Sequence, residues 1–95
     1  SGQIGLDPAS GTMVDGVIAQ ANRAFDNLEA VLTQAGAKMT DVVKFTIFLT
    51  DINDFALVNE VMASHVPTPY PARSCIQVAA LPKGALVEVE AIAVI

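Results

Sequence analysis

The sequence predicts an α/β sandwich, with helices on one face of a small mixed sheet. Three observations carry this. A long apolar stripe at helical spacing stands early in the chain, runs of strand-forming residues follow it, and the elements come in the order helix, strand, helix, strand, strand. With 95 residues there is material for one domain and not two.

Residues 1–15 (SGQIGLDPASGTMVD) are rich in Gly, Ser, Asp and Pro and read as a loop with turns. Asp15 is placed to cap a following helix. Val17, Ile18, Ala21, Phe25, Leu28, Val31, Leu32 and Ala35 recur at three- and four-residue steps and predict a helix over about residues 16–35. Gln20, Arg23, Asn27 and Gln34 lie mainly off that stripe, and Gly36 supplies the stop. Residues 42–50 (VVKFTIFLT) are β-branched and aromatic on both faces, as a central strand requires. Asp51 and Asp54 have capping-box spacing and open a second helix, with Phe55, Val58, Met62 and His65 turned inward. Pro67, Pro69 and Pro71 end it. Residues 72–79 and 86–94 read as two further strands, joined by a loop around Leu81-Pro82-Lys83-Gly84.

Composition narrows the function classes. Apolar residues make up 53% of the chain and six glycines add to them, against roughly 45–50% for an average domain on the count that includes Gly. So small a domain cannot hide all of this alone, which predicts an oligomer. No apolar run reaches the length of a membrane span, and no signal peptide is visible after Ser1. The single cysteine, Cys75, excludes an internal disulfide framework and fits a reducing cytoplasm. Net charge is −5, with Arg23, Lys38, Lys44, Arg73 and Lys83 the only cations, a poor footprint for nucleic acid.

Alternation along the last two strands places Arg73, Cys75, Glu88 and Glu90 together on one face, among Leu86, Ile92 and Val94. Ser74, Ile76 and Val78, with Val87, Val89, Ala91 and Ala93, are expected beneath the helices. A face mixing apolar residues with charges suits a subunit interface with a polar pocket in it. Arg73 can grip a carboxylate through two parallel hydrogen bonds, or it can be an internal ion-pair partner of Glu88 or Glu90. Glu88 can activate a water in a partly dry pocket, or it can be a solvated strand residue. Cys75 as a nucleophile needs a base beside it, and His65, the only histidine, has no reason to be there. A small interface residue is the plainer reading. One His and one Cys make a zinc site improbable. A glycine-rich phosphate loop is absent too, since the stretch over residues 7–12 lacks the Lys and the following helix.

The chain resembles the Rid family, also called the YjgF-type or L-PSP family. The resemblance runs through Ser1-Gly2-Gln3 with Asp7-Pro8, Asn27-Leu28, Val42-Val43-Lys44, Thr50-Asp51, Asn53-Asp54-Phe55 and Val58-Asn59-Glu60. It continues through Pro71-Ala72-Arg73-Ser74, Leu81-Pro82-Lys83-Gly84 and Val87-Glu88-Val89-Glu90-Ala91, in family order.

This resemblance implies a chorismate-mutase-like fold and a homotrimer with a barrel-like centre, its sites lying in the clefts between subunits. It implies that Arg73 holds a substrate carboxylate and that Glu88 positions and helps activate the attacking water. Cys75 contributes mainly through its backbone, Gly2 offers a backbone contact, Ser1 supports the pocket wall and Asn59 lines it. The implied reaction is hydrolysis of 2-aminoacrylate, 2-aminocrotonate and their imine tautomers to 2-keto acids and ammonia, with no metal or cofactor. A non-catalytic carboxylate-binding trimer and an RNA-directed activity are the alternatives, the last opposed by the acidic composition. Two departures stand out. The family carries two further strands and a pocket tyrosine ahead of the Ser-Gly-Gln block, so an exposed sheet edge is expected, with Tyr70 no obvious replacement. The stretch between Asn59 and Pro71 is also short, which predicts a reshaped pocket wall.

Overall fold

The computed structural model describes residues 2–95. Its elements are β1 (Gln3–Ile4), α1 (Val17–Gln34), β2 (Val42–Leu49), α2 (Phe55–His65), β3 (Ala72–Gln77) and β4 (Val87–Ala93), with short 3-10 turns at Met39–Asp41, Ile52–Asp54 and Pro82–Gly84. The four strands form one mixed sheet in the order β1-β4-β2-β3. β4 is antiparallel to both β1 and β2, and β3 is parallel to β2. Two helices on a mixed sheet is the expected class, and β2 is internal, as its apolar faces require.

α1 stops where expected. Gly36 takes a positive φ of 80°, while the amides of Gly36 and Ala37 return to the carbonyls of Thr33 and Leu32. Its start differs: Gly16 is the N-cap, and no side chain caps the first turn, so Asp15 has no such role. The buried stripe is also rotated from the expected one. Ala21, Ala24, Phe25, Leu28 and Leu32 are buried, whereas Ile18, Val31 and Ala35 face outward. Gln20, expected off the stripe, is buried because its Oε1 accepts the Leu86 backbone N–H at 2.8 Å. That bond is what makes a polar side chain tolerable there.

The core lies between the helices and one sheet face. Phe25 meets Phe45 edge-to-face at 5.9 Å, and Ile47, Leu49, Val87, Val89, Val58 and Met62 close around them. His65 stacks on Phe25 at 5.4 Å and its Nε2 pairs with Asn22 Oδ1 at 2.8 Å, tying the end of α2 to α1. Asp51 accepts from Asn53 N–H, so the helix opens through a 3-10 turn with only one half of the expected box. Phe55 is not turned into the core; it is exposed at the start of α2.

The strand arrangement corrects one expectation with consequences. β3 and β4 are not partners, because β2 lies between them. The α2 crossover lets β3 run parallel beside β2, and the loop from β3 then carries the chain across to the far side of β2. Register fixes the faces. Phe45 and Ile47 pair with Arg73 and Cys75 on one side and with Ala91 and Val89 on the other. Directly paired residues share a face, so Arg73 and Cys75 lie on the helix-covered side. Ser74 and Ile76 share the open face with Thr46, Phe48, Glu88 and Glu90. Val87, Val89, Ala91 and Ala93 do lie beneath the helices, as expected.

On the opposite edge, β1 pairs with Val89 and Glu88 alone. Among the described residues, residues 90–93 of β4 therefore have a strand neighbour on the β2 side only. The open face carries Ile76 and Ile92, the last 60% exposed. Among the described residues, no helix is long and apolar enough to cross a membrane.

Candidate functional site

Arg73 projects from edge strand β3 towards the first turns of α2. Its Nη1 donates to Asn59 Oδ1, and its Cζ lies 4.8 Å from the centroid of the Phe55 ring. A charged head on a partly buried stem, braced on an aromatic ring, gives a guanidinium with a fixed direction. Among the described residues Arg73 makes no ion pair; the salt-bridge contact found is His65 with Asp26, at 3.7 Å. The reading of Arg73 as a partner of Glu88 or Glu90 is thereby overturned. Their carboxyls stand on the other face of the sheet, one strand removed.

A cavity of about 370 Å³ opens beside the guanidinium, lined by Arg73, Asn59, Met62, Ala63, Tyr70 and Pro71. Asn59 thus lies next to Arg73. Tyr70, for which the sequence offers no place, is part of the same wall. Phe55, Met62 and Ala63 are further neighbours of Arg73 that the sequence reading misses. A signal for them exists: a helix between two strands makes those strands parallel neighbours, and that puts α2 over β3.

Cys75, two residues along β3, packs against the core. Burial pushes its thiol above the usual range, and the nearby Arg73 charge only opposes this. A raised thiol is a poor nucleophile at neutral pH, and Cys75 lies against the core on the helix-covered side rather than on the open face where an interface residue was expected. Among the described residues, no three His, Cys, Asp or Glu side chains converge where a metal ion could sit.

Glu88 forms a second group with Gly2. A Cβ added to Gly2 would overlap Glu88 Oε2, so the bare backbone of Gly2 is what admits the carboxyl. Ile4 lies opposite Glu88 in the β1–β4 ladder. Asn27 holds this N-terminal segment on α1 by donating to the carbonyls of Ile4 and Leu6 at 3.1 and 2.8 Å. Ser1 lies outside the described residues. Within one chain there are thus two separate groups, Arg73 with Asn59 and Glu88 with Gly2, on opposite faces of the sheet.

The comparisons with known proteins agree on one family. Residues 1–95 match the family model described as endoribonuclease L-PSP. The 2-iminobutanoate/2-iminopropanoate deaminase of Capra hircus is 53% identical over 95 residues, covering 99% of this chain and 69% of that protein. The crystal structure of RidA from an Antarctic Psychrobacter is 49% identical and superposes with a TM-score of 0.98, covering 100% of this chain and 77% of the other. The structure of E. coli TdcF with bound serine is 44% identical with a TM-score of 0.90, covering 99% and 76%. A family match along every residue, with this identity and this superposition, makes the chain a member of the Rid (endoribonuclease L-PSP) family.

Proposed function

We propose that this protein hydrolyses 2-imino acids, including the tautomers of 2-aminoacrylate and 2-aminocrotonate, to 2-keto acids and ammonia. The observation that carries the proposal is the Arg73 guanidinium, braced by Asn59 and Phe55, without an ion-pair partner among the described residues, and bordering a cavity. Such a group suits a small carboxylate. With the carboxylate held, the neighbouring imine carbon is fixed in position. Water adds to that carbon, its proton passes to nitrogen, and the C–N bond of the tetrahedral adduct breaks to release ammonia and leave a carbonyl. Glu88 is the group we assign to orient the water and move its protons.

In our reading the working unit is a homotrimer. The open sheet face supports this, because it combines apolar side chains with the Glu88 carboxyl. A site between copies would bring the Arg73 half of one chain to the Glu88 half of the next. The lone cysteine and acidic charge fit a cytoplasmic protein acting on small molecules rather than on nucleic acid.

The separation of Arg73 from Glu88 favours a second reading, a trimer that binds small 2-keto acids without turning imines over. A dehydratase-coupled assay separates the two. The enamine is generated from serine or threonine, and keto-acid release is followed with and without the protein. Catalysis accelerates release and Arg73→Ala abolishes the acceleration, whereas keto-acid binding with no acceleration supports the second reading.

A further inference from the structure

His65 is the only histidine of the chain, and the proposed reaction makes no use of it. It closes α2, and its ring meets α1 in two directed ways. It stacks on Phe25 with centroids 5.4 Å apart and planes 21° from parallel, and its Nε2 stands 2.8 Å from Asn22 Oδ1. Asn22 Nδ2 donates to the Ile18 carbonyl at 3.1 Å, which turns Oδ1 towards the histidine. Nε2 therefore carries a proton and donates. Nδ1 faces the Asp26 carboxylate at 3.7 Å, longer than a hydrogen bond. Among the described residues, the bond from Nε2 to Asn22 is the side-chain hydrogen bond that joins the two helices.

A closed series of contacts runs through this residue. Phe25 meets Phe45 edge-to-face at 5.9 Å, and Phe45 is the β2 residue directly paired with Arg73. From Arg73 the series returns to α2 through Asn59 Oδ1. His65 thus refers α2 to the strand position from which Arg73 projects. Val58, Val61 and Met62 also bury α2, but apolar burial has no preferred direction. These residues hold the helix down more firmly than they fix its rotation. Rotation matters for Asn59: at a side-chain radius of about 5 Å, a turn of about 10° moves it by about 1 Å. A hydrogen bond and a ring stack at the helix end resist such a turn.

We infer that His65 is a positioning residue for Arg73: its bond to Asn22 sets the rotation of α2, and with it the hold of Asn59 on the guanidinium. The effect on the guanidinium stands apart from the proposed reaction. The effect on a substrate carboxylate rests on Arg73 being its anchor.

The chain has two arginines, Arg23 and Arg73, so isotope-labelled arginine makes the Arg73 guanidinium readable by NMR. His65→Phe keeps a ring for Phe25 and loses the donor. It is expected to speed rotation of the Arg73 Nη groups by about three- to tenfold, the range set by one lost hydrogen bond. His65→Gln keeps an N–H for Asn22 and is expected to restore part of the hold. Asn22→Leu removes the same bond from the α1 side and serves if the His65 variants do not fold. Calorimetry with pyruvate reads the anchor. His65→Phe is expected to raise the pyruvate Kd by about three- to tenfold in the wild-type background, and by less than about twofold in an Asn59→Ala background. Equal weakening in both backgrounds, or Nη rotation that neither His65→Phe nor Asn22→Leu changes, overturns the inference. Faster rotation in these variants, with no pyruvate bound by the wild type, supports the positioning role and overturns Arg73 as the carboxylate anchor instead.

Discussion

Arg73 and Glu88 stand on opposite faces of one sheet, on strands that both pair with β2 but not with each other. No rotamer change brings the two groups together through a packed β-sheet. If they act on one substrate, they do so from two copies of the chain.

Gly2 admits the Glu88 carboxyl, whose Oε2 occupies the space that an added Cβ would need. The obstructing atom is the end of a flexible side chain, so Gly2→Ala is expected to displace Glu88 and leave the fold intact. A misplacement of this kind costs about 10- to 100-fold in kcat, with KM changed much less. Steady-state kinetics beside a thermal melt check this. A lowered melting temperature with kcat unchanged would contradict it.

Gln20 and Gly5 form a structural joint that should matter for stability alone. Gln20→Leu removes the acceptor for the Leu86 N–H and is expected to cost about 1–3 kcal/mol. Gly5→Ala places a Cβ 2.7 Å from the Gln20 Cα, a backbone atom that cannot swing aside, with a penalty of about 1–3 kcal/mol. Urea unfolding at a fixed protein concentration reads both.

The Cys75 thiol is raised by burial, so it remains protonated at neutral pH. Alkylation by iodoacetamide should be slower than that of a free thiol, and should accelerate only as pH rises past the ordinary thiol pKa of about 8.5. Because ionisation is disfavoured in the fold, any stability linked to this group is present below that pH and declines above it. Cys75→Ala should retain most activity. Loss of turnover with binding preserved would restore the thiol to the mechanism.

Ile92 sits on the open face of β4, where an apolar side chain 60% exposed has little cover within the chain. Ile92→Asp is expected to shift the proposed trimer towards monomer and to remove activity while circular dichroism keeps its helical signal. Sedimentation equilibrium measures the mass. An unchanged assembly state would count against the open face as the surface that joins the proposed trimer.

The sequence resolves the elements better than their neighbours. The stripe from Ala21 to Leu32 and the run in β2 mark their elements because apolar periodicity reports burial directly. Gln20 escapes because a buried hydrogen bond, invisible to periodicity, overrides polarity. The placement of Arg73 beside Glu88 fails for a different reason. Alternation gives two faces per strand but does not say which face of one strand matches which face of another; pairing register does. The segment between β3 and β4 is too long for a tight hairpin, and the α2 crossover already sets β3 beside β2. Those two features are enough to separate the charges. Asn59 is reached through family resemblance, whereas Phe55, Ala63 and Tyr70 become neighbours of Arg73 only through the path of the chain.

Mixing two inactive variants tests the shared site most directly. Arg73→Ala and Glu88→Gln are each expected to lack imine hydrolysis. Unfolded together in equal amounts and reassembled, they should recover about a quarter of wild-type activity, the share of random interfaces in which an intact Arg73 meets an intact Glu88. Mixed oligomers that form but remain inactive, while wild-type chains treated the same way regain full activity, would contradict a site built from two chains.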